Sequence, residues 1–279
     1  MSNLDGLGYR AATIVLTGGS SGMGEAAARI LGELGAKVHI VDIQEPKASC
    51  EAFYRTDLSD PGQVSATAKV LRNVGAIDFL FCCAGVPPHA VGALKCMLIN
   101  YVGNRQFVEE VLPAVKDGGG IAIISSDACL SWQKNLAQNL ELLAISDPRA
   151  ARKWCEANPE KLRDGYTTSK EMLVVWVQHS AVKLGERRIR INTTAPCPTK
   201  TAFMEQSLPV LGQDFLDKFP YPVLHRMATA EEQAWPLILL NSPLNAAVTG
   251  AVLYTDQGFV GGLFTGAIDS SAMSGGKRS

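Results

Sequence analysis

Residues 17–24 read Thr17-Gly18-Gly19-Ser20-Ser21-Gly22-Met23-Gly24 and lie between two different apolar patterns. A β-branched run at 12–16 precedes them, and apolar residues repeat at helical spacing through 25–34. Glycines between a strand and a helix let the backbone turn tightly and approach a pyrophosphate, which the N–H groups of the helix N-terminus can bind. The stretch therefore predicts a dinucleotide-binding turn, although an ordinary glycine-rich turn is the alternative. The residues expected against the ligand are Gly18, Ser20, Ser21, Gly22, Met23 and Gly24.

The rest of the chain alternates short apolar runs with helical patterns. Strands are predicted at 37–43, 53–56, 77–83, 121–124, 189–193 and 251–255, and helices at 64–74, 102–115 and 166–184. Such alternation predicts right-handed βαβ units and a parallel sheet covered on both faces. We therefore expect one α/β domain over residues 1–269: a doubly wound parallel seven-stranded sheet (Rossmann fold) in a three-layer α/β/α sandwich. The strand order is predicted as 3-2-1-4-5-6-7, and residues 270–279 are expected to form a disordered tail.

Composition excludes several classes of protein. Of the 279 residues 47% are apolar and 19% charged, which excludes a disordered chain. The formal net charge of −1 gives no electrostatic case for nucleic acid or an anionic membrane as a partner. No apolar run reaches the roughly 18 residues of a membrane span, and the first residues do not resemble a signal peptide. Seven cysteines without a C-x-x-C pair and four scattered histidines predict reduced thiols in a cytoplasmic protein and no metal site.

Asp42 ends the second predicted strand, at the position where dinucleotide-binding folds carry an acidic residue. A carboxylate there can accept hydrogen bonds from the ribose hydroxyls, whereas a 2′-phosphate would meet like charge. No Lys or Arg occurs in the glycine turn or just after Asp42 to receive such a phosphate. The sequence thus predicts NAD(H) rather than NADP(H), with Asp42 and Ile43 beside the adenosine ribose. The alternative is a solvated Asp at a strand end.

Three further positions carry groups suited to acid–base chemistry. The spacing of Tyr166 and Lys170 places a phenol and an ammonium on one helix face, where the cation would lower the pKa of the phenol. Ser126 ends an apolar strand at the edge where open α/β sheets bind ligands. Asn100 is an amide within an apolar helical segment. Taken singly, each has an ordinary explanation: a solvated helix pair, a serine that caps a turn, or a satisfied core amide.

Together these residues resemble the short-chain dehydrogenase/reductase family from about residue 12 to residue 259. The glycine turn resembles the family's cofactor loop, and Asp57-Leu58 resembles its adenine-contacting pair. Cys82-Cys83-Ala84-Gly85 stands where the family has Asn-Asn-Ala-Gly, and residues 190–196 match the strand before its Pro-Gly segment. The positions that match the family's catalytic tetrad are Asn100, Ser126, Tyr166 and Lys170.

The resemblance implies an NAD-dependent enzyme that interconverts a secondary alcohol and a ketone. Tyr166 would exchange a proton with the substrate oxygen, Ser126 would bind the same oxygen, and Lys170 would hold the nicotinamide ribose. Asn100 would hold a water in a proton relay with Lys170. Contacts with the cofactor are also implied for Ala84 and Gly85 and, at the carboxamide, for Thr199 and Thr201. A small-molecule substrate and a homodimer or homotetramer are implied as well.

The chain departs from the family's pattern in three places. Cysteines replace both asparagines at Cys82 and Cys83, and the Pro-Gly pair is Pro196-Cys197 followed by Pro198. An insertion at 127–165 separates Ser126 from Tyr166, about three times the family's usual spacing. It is either an apolar lid over the substrate or a packed excursion that modifies an oligomer interface. An insertion here also resembles the bacterial 3α-hydroxysteroid dehydrogenase/carbonyl reductase branch, which favours a bulky apolar substrate such as a hydroxysteroid or an aryl alcohol.

Other functions stay open at this point. One is a non-catalytic, NAD-sensing binding protein, and another is a family member that acts on a small or coenzyme A-linked hydroxy substrate. A third is a dehydratase or epimerase of the same family. A second variable stretch, 201–227, offers candidate pocket walls or ordinary core: Phe203, Met204, Leu208, Phe215, Phe219 and Tyr221.

Overall fold

The computed structural model describes residues 6–269, so the expected tail at 270–279 lies outside the described residues. Seven strands form one sheet in the order β3-β2-β1-β4-β5-β6-β9, and every neighbouring pair is parallel. This is the predicted order, with the seventh strand numbered β9 because two short strands precede it. The strands are β1 (Thr13–Thr17), β2 (Lys37–Asp42), β3 (Ala52–Arg55), β4 (Ile77–Cys82), β5 (Val115–Ile124), β6 (Arg190–Pro196), β7 (Thr199–Lys200), β8 (Ala228–Thr229) and β9 (Val252–Thr255).

Helices occupy most of the connections between these strands. They are α1 (Gly22–Glu33), α2 (Pro61–Leu71), α3 (Pro88–Val91), α4 (Ala93–Met97), α5 (Asn104–Val111), α6 (Leu136–Leu143), α7 (Pro148–Ala157), α8 (Pro159–Leu162), α9 (Tyr166–Leu184), α10 (Ala202–Leu211), α11 (Gln213–Lys218), α12 (Ala230–Asn241) and α13 (Phe259–Thr265). A π-helical turn, Leu98–Gly103, joins α4 to α5. Within residues 6–269, no helix combines the length and the apolar character needed to cross a membrane.

The alternation of side chains along the strands builds the two faces of the sheet. Successive residues of a strand point to opposite faces, and here both faces are buried. Val15, Leu80 and Ile121 pack with α2, α5 and α9, whereas the neighbouring Leu16 and Phe81 pack with α1 and α12. Two apolar cores therefore lie on either side of one sheet, which confirms the predicted three-layer sandwich.

Several predicted bounds shift by a few residues, and two elements differ for reasons that the structure shows. The helix expected at 102–115 begins earlier, in the π-helical turn, and ends at Val111 because Pro113 cannot continue it. Strand β5 starts at Val115 rather than residue 121. Its apolar end is preceded by Gly118, Gly119 and Gly120, which give no apolar signal, yet Gly120 pairs with Phe79 across the ladder.

The insertion at 127–165 folds as a short 3₁₀ turn, Asp127–Ser131, followed by α6, α7 and α8. Its helices pack against α4, α9 and the π-helical turn, on the outside of one helical layer. Leu142, Leu143, Cys155 and Leu162 join the apolar core of that layer. Leu142, Leu143 and Leu162 therefore serve packing against the helical layer, whereas Leu136 and Leu140 are exposed.

Candidate active site

The carboxyl ends of five neighbouring strands open into one cavity of about 770 Å³. Each strand end contributes to the lining: Gly18 after β1, Asp42 on β2, Cys83 after β4, Ser126 after β5 and Cys197 after β6. Ligands of doubly wound sheets bind at this edge, where the connections diverge to the two faces. The volume lies within the range of roughly 300–1,000 Å³ of ligand and cofactor pockets.

The glycine turn forms one wall, where Ser21, Met23 and the first turn of α1 face the cavity. Gly18 has a φ of +73°, and a Cβ there would lie 2.5 Å from the Cα of Ala84. A Cβ on Gly24 would lie 2.0 Å from the carbonyl oxygen of Gly18. Neither position accepts a side chain, so the α1 N-terminus stays close to the floor of the cavity. This cradle fits the diphosphate of a nicotinamide dinucleotide.

Asp42 is held in place by backbone amides. Its Oδ2 accepts from Ser20 N–H at 3.0 Å, and its Oδ1 accepts from Gln44 N–H at 3.1 Å. A carboxylate fixed in this way presents its remaining lone pairs to the cavity, where ribose hydroxyls can donate to them. Ser20 itself lies behind the wall, because its hydroxyl donates to the Gln44 carbonyl at 2.6 Å and its side chain is buried.

A basic residue that the local sequence pattern does not indicate lies close to this end of the cavity. Arg55 pairs with Asp42 in the ladder between β2 and β3, and its Nη1 donates to the carbonyl of Ile43 at 2.7 Å. Arg55 lies on the neighbouring strand β3, so the residues that directly follow Asp42 give no sign of it. Arg55 is not part of the cavity lining. The other residues expected around the cofactor do line the cavity: Ile43, Asp57, Leu58, Ala84, Gly85, Thr199 and Thr201.

Tyr166 is the first residue of α9, and Lys170 follows one turn later. Lys170 is buried, its Nζ lies 5.5 Å from the centroid of the Tyr166 ring, and it donates to the carbonyl of Ile124 at 2.9 Å. Burial lowers the pKa of Lys170 to about 8. Burial also raises the pKa of the Tyr166 phenol, against a smaller opposite effect of the Ser126 hydroxyl. The net lowering of the phenol pKa that was expected beside Lys170 is therefore wrong for the protein by itself, because burial of the phenol dominates.

Ser126 follows β5 and caps the 3₁₀ turn that starts the insertion. Its Oγ accepts from Ala128 N–H at 3.2 Å and donates to Asp127 Oδ1 at 2.9 Å. Asp127 lines the cavity beside Ser126 and was not among the residues predicted from the sequence. Its position directly after Ser126, at the same strand end, is the signal that could have identified it.

Asn100 lies in the π-helical turn, fully buried and outside the cavity lining. Its Oδ1 accepts from Val86 N–H at 2.8 Å, and its Nδ2 donates to the Val86 carbonyl at 3.0 Å. The side chain thus fixes the backbone segment after Gly85, which does line the cavity. A second asparagine, Asn104, fixes the segment before it, since its Nδ2 donates to the Ala84 carbonyl at 3.1 Å.

Asn104 and Thr17 supply side-chain hydrogen bonds at the strand end where cysteines replace the family's asparagines. Thr17 Oγ1 donates to Asn104 Oδ1 at 3.2 Å and accepts from Ala84 N–H at 3.4 Å. Burial raises the pKa of the Cys82 thiol to about 12 and also raises that of Cys83. Both cysteines are therefore neutral, packed thiols.

The remaining walls of the cavity are largely apolar. Phe203, Met204 and Phe215 line it, whereas Leu208, Phe219 and Tyr221 do not. The ring of Phe203 lies 5.6 Å from that of Tyr166. From the insertion, only residues near its two ends reach the cavity: Asp127, Ala128 and Asp164. The lid hypothesis for 127–165 therefore has no support in the cavity lining, and the described helices α6–α8 act as packing elements.

Two family models match the chain: short chain dehydrogenase over residues 12–138 and enoyl-(acyl carrier protein) reductase over residues 157–260. Coniferyl-alcohol dehydrogenase of Pseudomonas sp. (strain HR199 / DSM 7063) is 31% identical over 246 residues, which span 88% of this chain and 95% of the relative. The 3-alpha-hydroxysteroid dehydrogenase/carbonyl reductase of Comamonas testosteroni is 32% identical over 254 residues, with the same coverage. The chain therefore belongs to the short-chain dehydrogenase/reductase family, whose members are oxidoreductases that use a nicotinamide cofactor.

Solved structures agree on the fold. The 3-alpha-hydroxysteroid dehydrogenase of Pseudomonas sp. B-0831, complexed with NADH, has a TM-score of 0.75 at 23% identity, covering 92% of this chain and 100% of that one. The residues between the two family matches, 139–156, fall within the insertion. The internal stretch that neither family model covers therefore lies in the element that joins Ser126 to Tyr166.

Proposed function

We propose that this protein transfers a hydride between NAD(H) and a secondary alcohol or ketone that is bulky and apolar. The observation that carries the proposal is the position of Ser126, Tyr166 and Lys170 in the same cavity as the glycine turn and Asp42. The aromatic and methionine walls favour an apolar substrate. The names of two relatives, a coniferyl-alcohol dehydrogenase and a hydroxysteroid dehydrogenase, support a ring-bearing alcohol.

In this proposal Tyr166 exchanges a proton with the substrate oxygen. Burial keeps the phenol neutral, so it is ready to donate to a carbonyl oxygen. Lys170, with a pKa of about 8, can release or take up a proton near neutral pH and so restore the protonation state of the phenol. The nicotinamide supplies the hydride chemistry when it is bound, and the chain positions the substrate and moves the proton.

The proposed preference for NAD(H) rests on Asp42. Its carboxylate accepts two backbone N–H groups and lines the cavity, so it stays ordered beside the ribose position. A 2′-phosphate there would meet like charge, at a cost on the order of 1–4 kcal/mol near a surface.

The test is NADH formation at 340 nm with a panel of small aliphatic alcohols, aryl alcohols including coniferyl alcohol, and 3α-hydroxysteroids, with NADP in parallel. Bulky apolar alcohols should give the highest kcat/KM with NAD. Tyr166→Phe should lower kcat by about 10²–10⁴ while NADH still binds. A variant that retained more than about a tenth of wild-type kcat would exclude the acid–base role of Tyr166. If NAD binds but no alcohol in the panel gives NADH, the alternative of a non-catalytic NAD-sensing protein would be favoured.

We also propose a homodimer or homotetramer in the cytoplasm. Large apolar side chains are exposed on and near the edge strand β9 and on α12 and α13: Leu239, Leu244, Leu253 and Phe264. Contact with a second copy of the chain would remove these apolar side chains from water. The seven free thiols support a reducing compartment. Sedimentation equilibrium on the purified protein tests the oligomer, and a monomer at micromolar concentration would contradict it.

A further inference from the structure

The hydrogen of the Ser126 hydroxyl is already committed within the protein. Ser126 Oγ donates to Asp127 Oδ1 at 2.9 Å and accepts from Ala128 N–H at 3.2 Å. A hydroxyl has one hydrogen to donate and two lone pairs. In this arrangement Ser126 can offer a substrate only a lone pair, which repels a carbonyl oxygen and cannot stabilise the charge that develops on it.

Asp127 lies in surroundings that disfavour its charge. It is partly buried at the cavity wall, and the loss of hydration there raises its pKa to about 7. The titratable groups that act most strongly on it come from several elements and are a carboxyl group, phenols and thiols. They are Asp256 after β9, Tyr166 on α9, Cys129 in the 3₁₀ turn, Cys197 after β6 and Tyr221 before β8. The Asp256 carboxylate is itself fixed by the N–H groups of Gly258 and Val260.

We propose that Asp127 is a positioning residue for the reaction, because its carboxyl group decides whether Ser126 can donate its hydrogen to the reacting oxygen. The inference rests on the proposed function. When Asp127 is neutral, its O–H donates to Ser126 Oγ, and the Ser126 hydrogen turns to the carbonyl oxygen beside Tyr166. Both lone pairs of Ser126 are then filled, by Asp127 and by Ala128 N–H. When Asp127 is ionised, it holds the Ser126 hydrogen instead.

Protons balance without any covalent step at these two residues. The proton on Asp127 comes from solvent and remains there during turnover, while Tyr166 supplies the proton that the product oxygen gains. Ketone reduction should therefore decline as pH rises through 7, before the phenol itself ionises. The loss of a hydrogen bond to a developing oxyanion typically lowers the rate by about 10²–10³. At pH 9, only about one molecule in a hundred would carry a neutral Asp127.

Asp127→Asn separates this role from a merely structural one. The Asn amide donates to Ser126 Oγ at every pH, so the variant should lose the inflection near pH 7 in kcat/KM for reduction. At pH 9 it should exceed the wild type by about tenfold to a hundredfold. In a Ser126→Ala background the same substitution should change nothing. A uniform loss across pH, an inflection that stays near pH 7, or the same effect without Ser126 would overturn the proposal. An inflection near pH 8 from Lys170 is expected in both proteins.

Asp164→Asn is the matched control. Asp164 lines the same cavity, but its carboxylate accepts from Thr167 N–H and Oγ1 at 2.7 Å rather than from Ser126. This variant also removes one negative charge near Tyr166. It should retain the inflection near pH 7. If it removes the inflection as Asp127→Asn does, a general electrostatic effect on Tyr166 replaces the proposed role.

A second measurement does not depend on turnover. In protein labelled at the Asp carboxyl carbons, NMR with NADH bound should show Asp127 titrating near pH 7, with the signal assigned by its absence in Asp127→Asn. Ser126→Ala should raise that pKa, because the Ser126 hydroxyl stabilises the carboxylate. An Asp127 pKa below about 5, or one that does not change in Ser126→Ala, would overturn the inference. No turnover with any alcohol or ketone, despite this coupling, would instead count against the proposed function.

Discussion

Glu171 connects the insertion to the helix that carries Tyr166 and Lys170. Its carboxylate is completely buried and accepts from Arg163 Nη2 at 2.6 Å and from Asn135 Nδ2 at 3.0 Å. Arg163 has a φ of +54°, a left-handed conformation that a non-glycine residue adopts at a cost. These contacts hold the turn before α9 in place, so we predict that Glu171→Gln destabilises the protein.

The size of the effect follows from burial. A hydrogen bond to a charged group contributes about 1.5–3 kcal/mol, and breaking a buried ion pair costs about 3–5 kcal/mol. The Arg163 side chain is 37% exposed, so water recovers part of its hydration when its partner is lost. We therefore expect a loss of about 2–4 kcal/mol in the free energy of unfolding, or a fall in Tm of roughly 4–12 °C. The value of kcat should also fall, because Lys170 adjoins Glu171.

Urea unfolding with and without NADH measures this loss, and Glu141→Gln is the control. Glu141 also belongs to the insertion and pairs with Lys161 at 2.7 Å, but their side chains are 51% and 31% exposed. That exposed pair should contribute less than about 1 kcal/mol. If Glu171→Gln were no more destabilising than Glu141→Gln, the insertion would not stabilise α9 through this carboxylate.

Three further predictions concern the cofactor and pH. Asp42→Ser should raise kcat/KM for NADP relative to NAD by at least about tenfold, because the substitution removes a charge of the same sign as the 2′-phosphate. Steady-state kinetics measures this ratio, and an unchanged ratio would contradict the assigned role of Asp42. Gly24→Ala should weaken NADH binding more than tenfold in a fluorescence titration, because the new Cβ would meet the Gly18 carbonyl oxygen. Gly32→Ala in the same helix is the control: its Cβ would meet nothing within 4 Å, so NADH binding should be unchanged. Asp127 has a pKa raised to about 7 from 3.8, so the folded state keeps a proton that the unfolded chain releases, and wild-type stability should fall between about pH 4 and pH 7. Urea unfolding should show no such fall in Asp127→Asn, and parallel curves for the two proteins would refute the assignment.

The sheet was predictable from the sequence because burial on both faces leaves a strong local signal. Ile77–Cys82 is almost wholly apolar, and from Phe79 to Cys82 successive residues serve opposite helical layers. The two-residue strands β7 and β8 have no period to detect, and the π-helical turn at Leu98–Gly103 has no apolar signature distinct from that of an α-helix. Such elements are set by tertiary pairing, which a local pattern does not contain.

The sequence predicted which kinds of side chain form the site, but it did not predict which group each side chain binds. Ser20 and Asn100 were predicted as site residues, but their side chains form hydrogen bonds with the protein backbone and do not line the cavity. Asn104 stands four residues after Asn100 and carried the same signal, a polar residue in an apolar helix, and it holds the strand end at Ala84. The orientation of the helix decides which of several buried amide side chains can contact a ligand. Tertiary packing sets this orientation, and the local sequence does not show it.

The insertion influences the site through its ends. A lid would require its middle to face the cavity, whereas α6–α8 pack on the far side of the helical layer, and only Asp127, Ala128 and Asp164 reach the lining. Two of these flank the groups that would handle the proton: Asp127 adjoins Ser126, and Asp164 lies two residues before Tyr166. Changes within α6–α8 should therefore act through stability and the placement of α9. A change at Asp127 should act on the pH dependence of the reaction, so kinetics across pH distinguishes this end of the insertion from its helices.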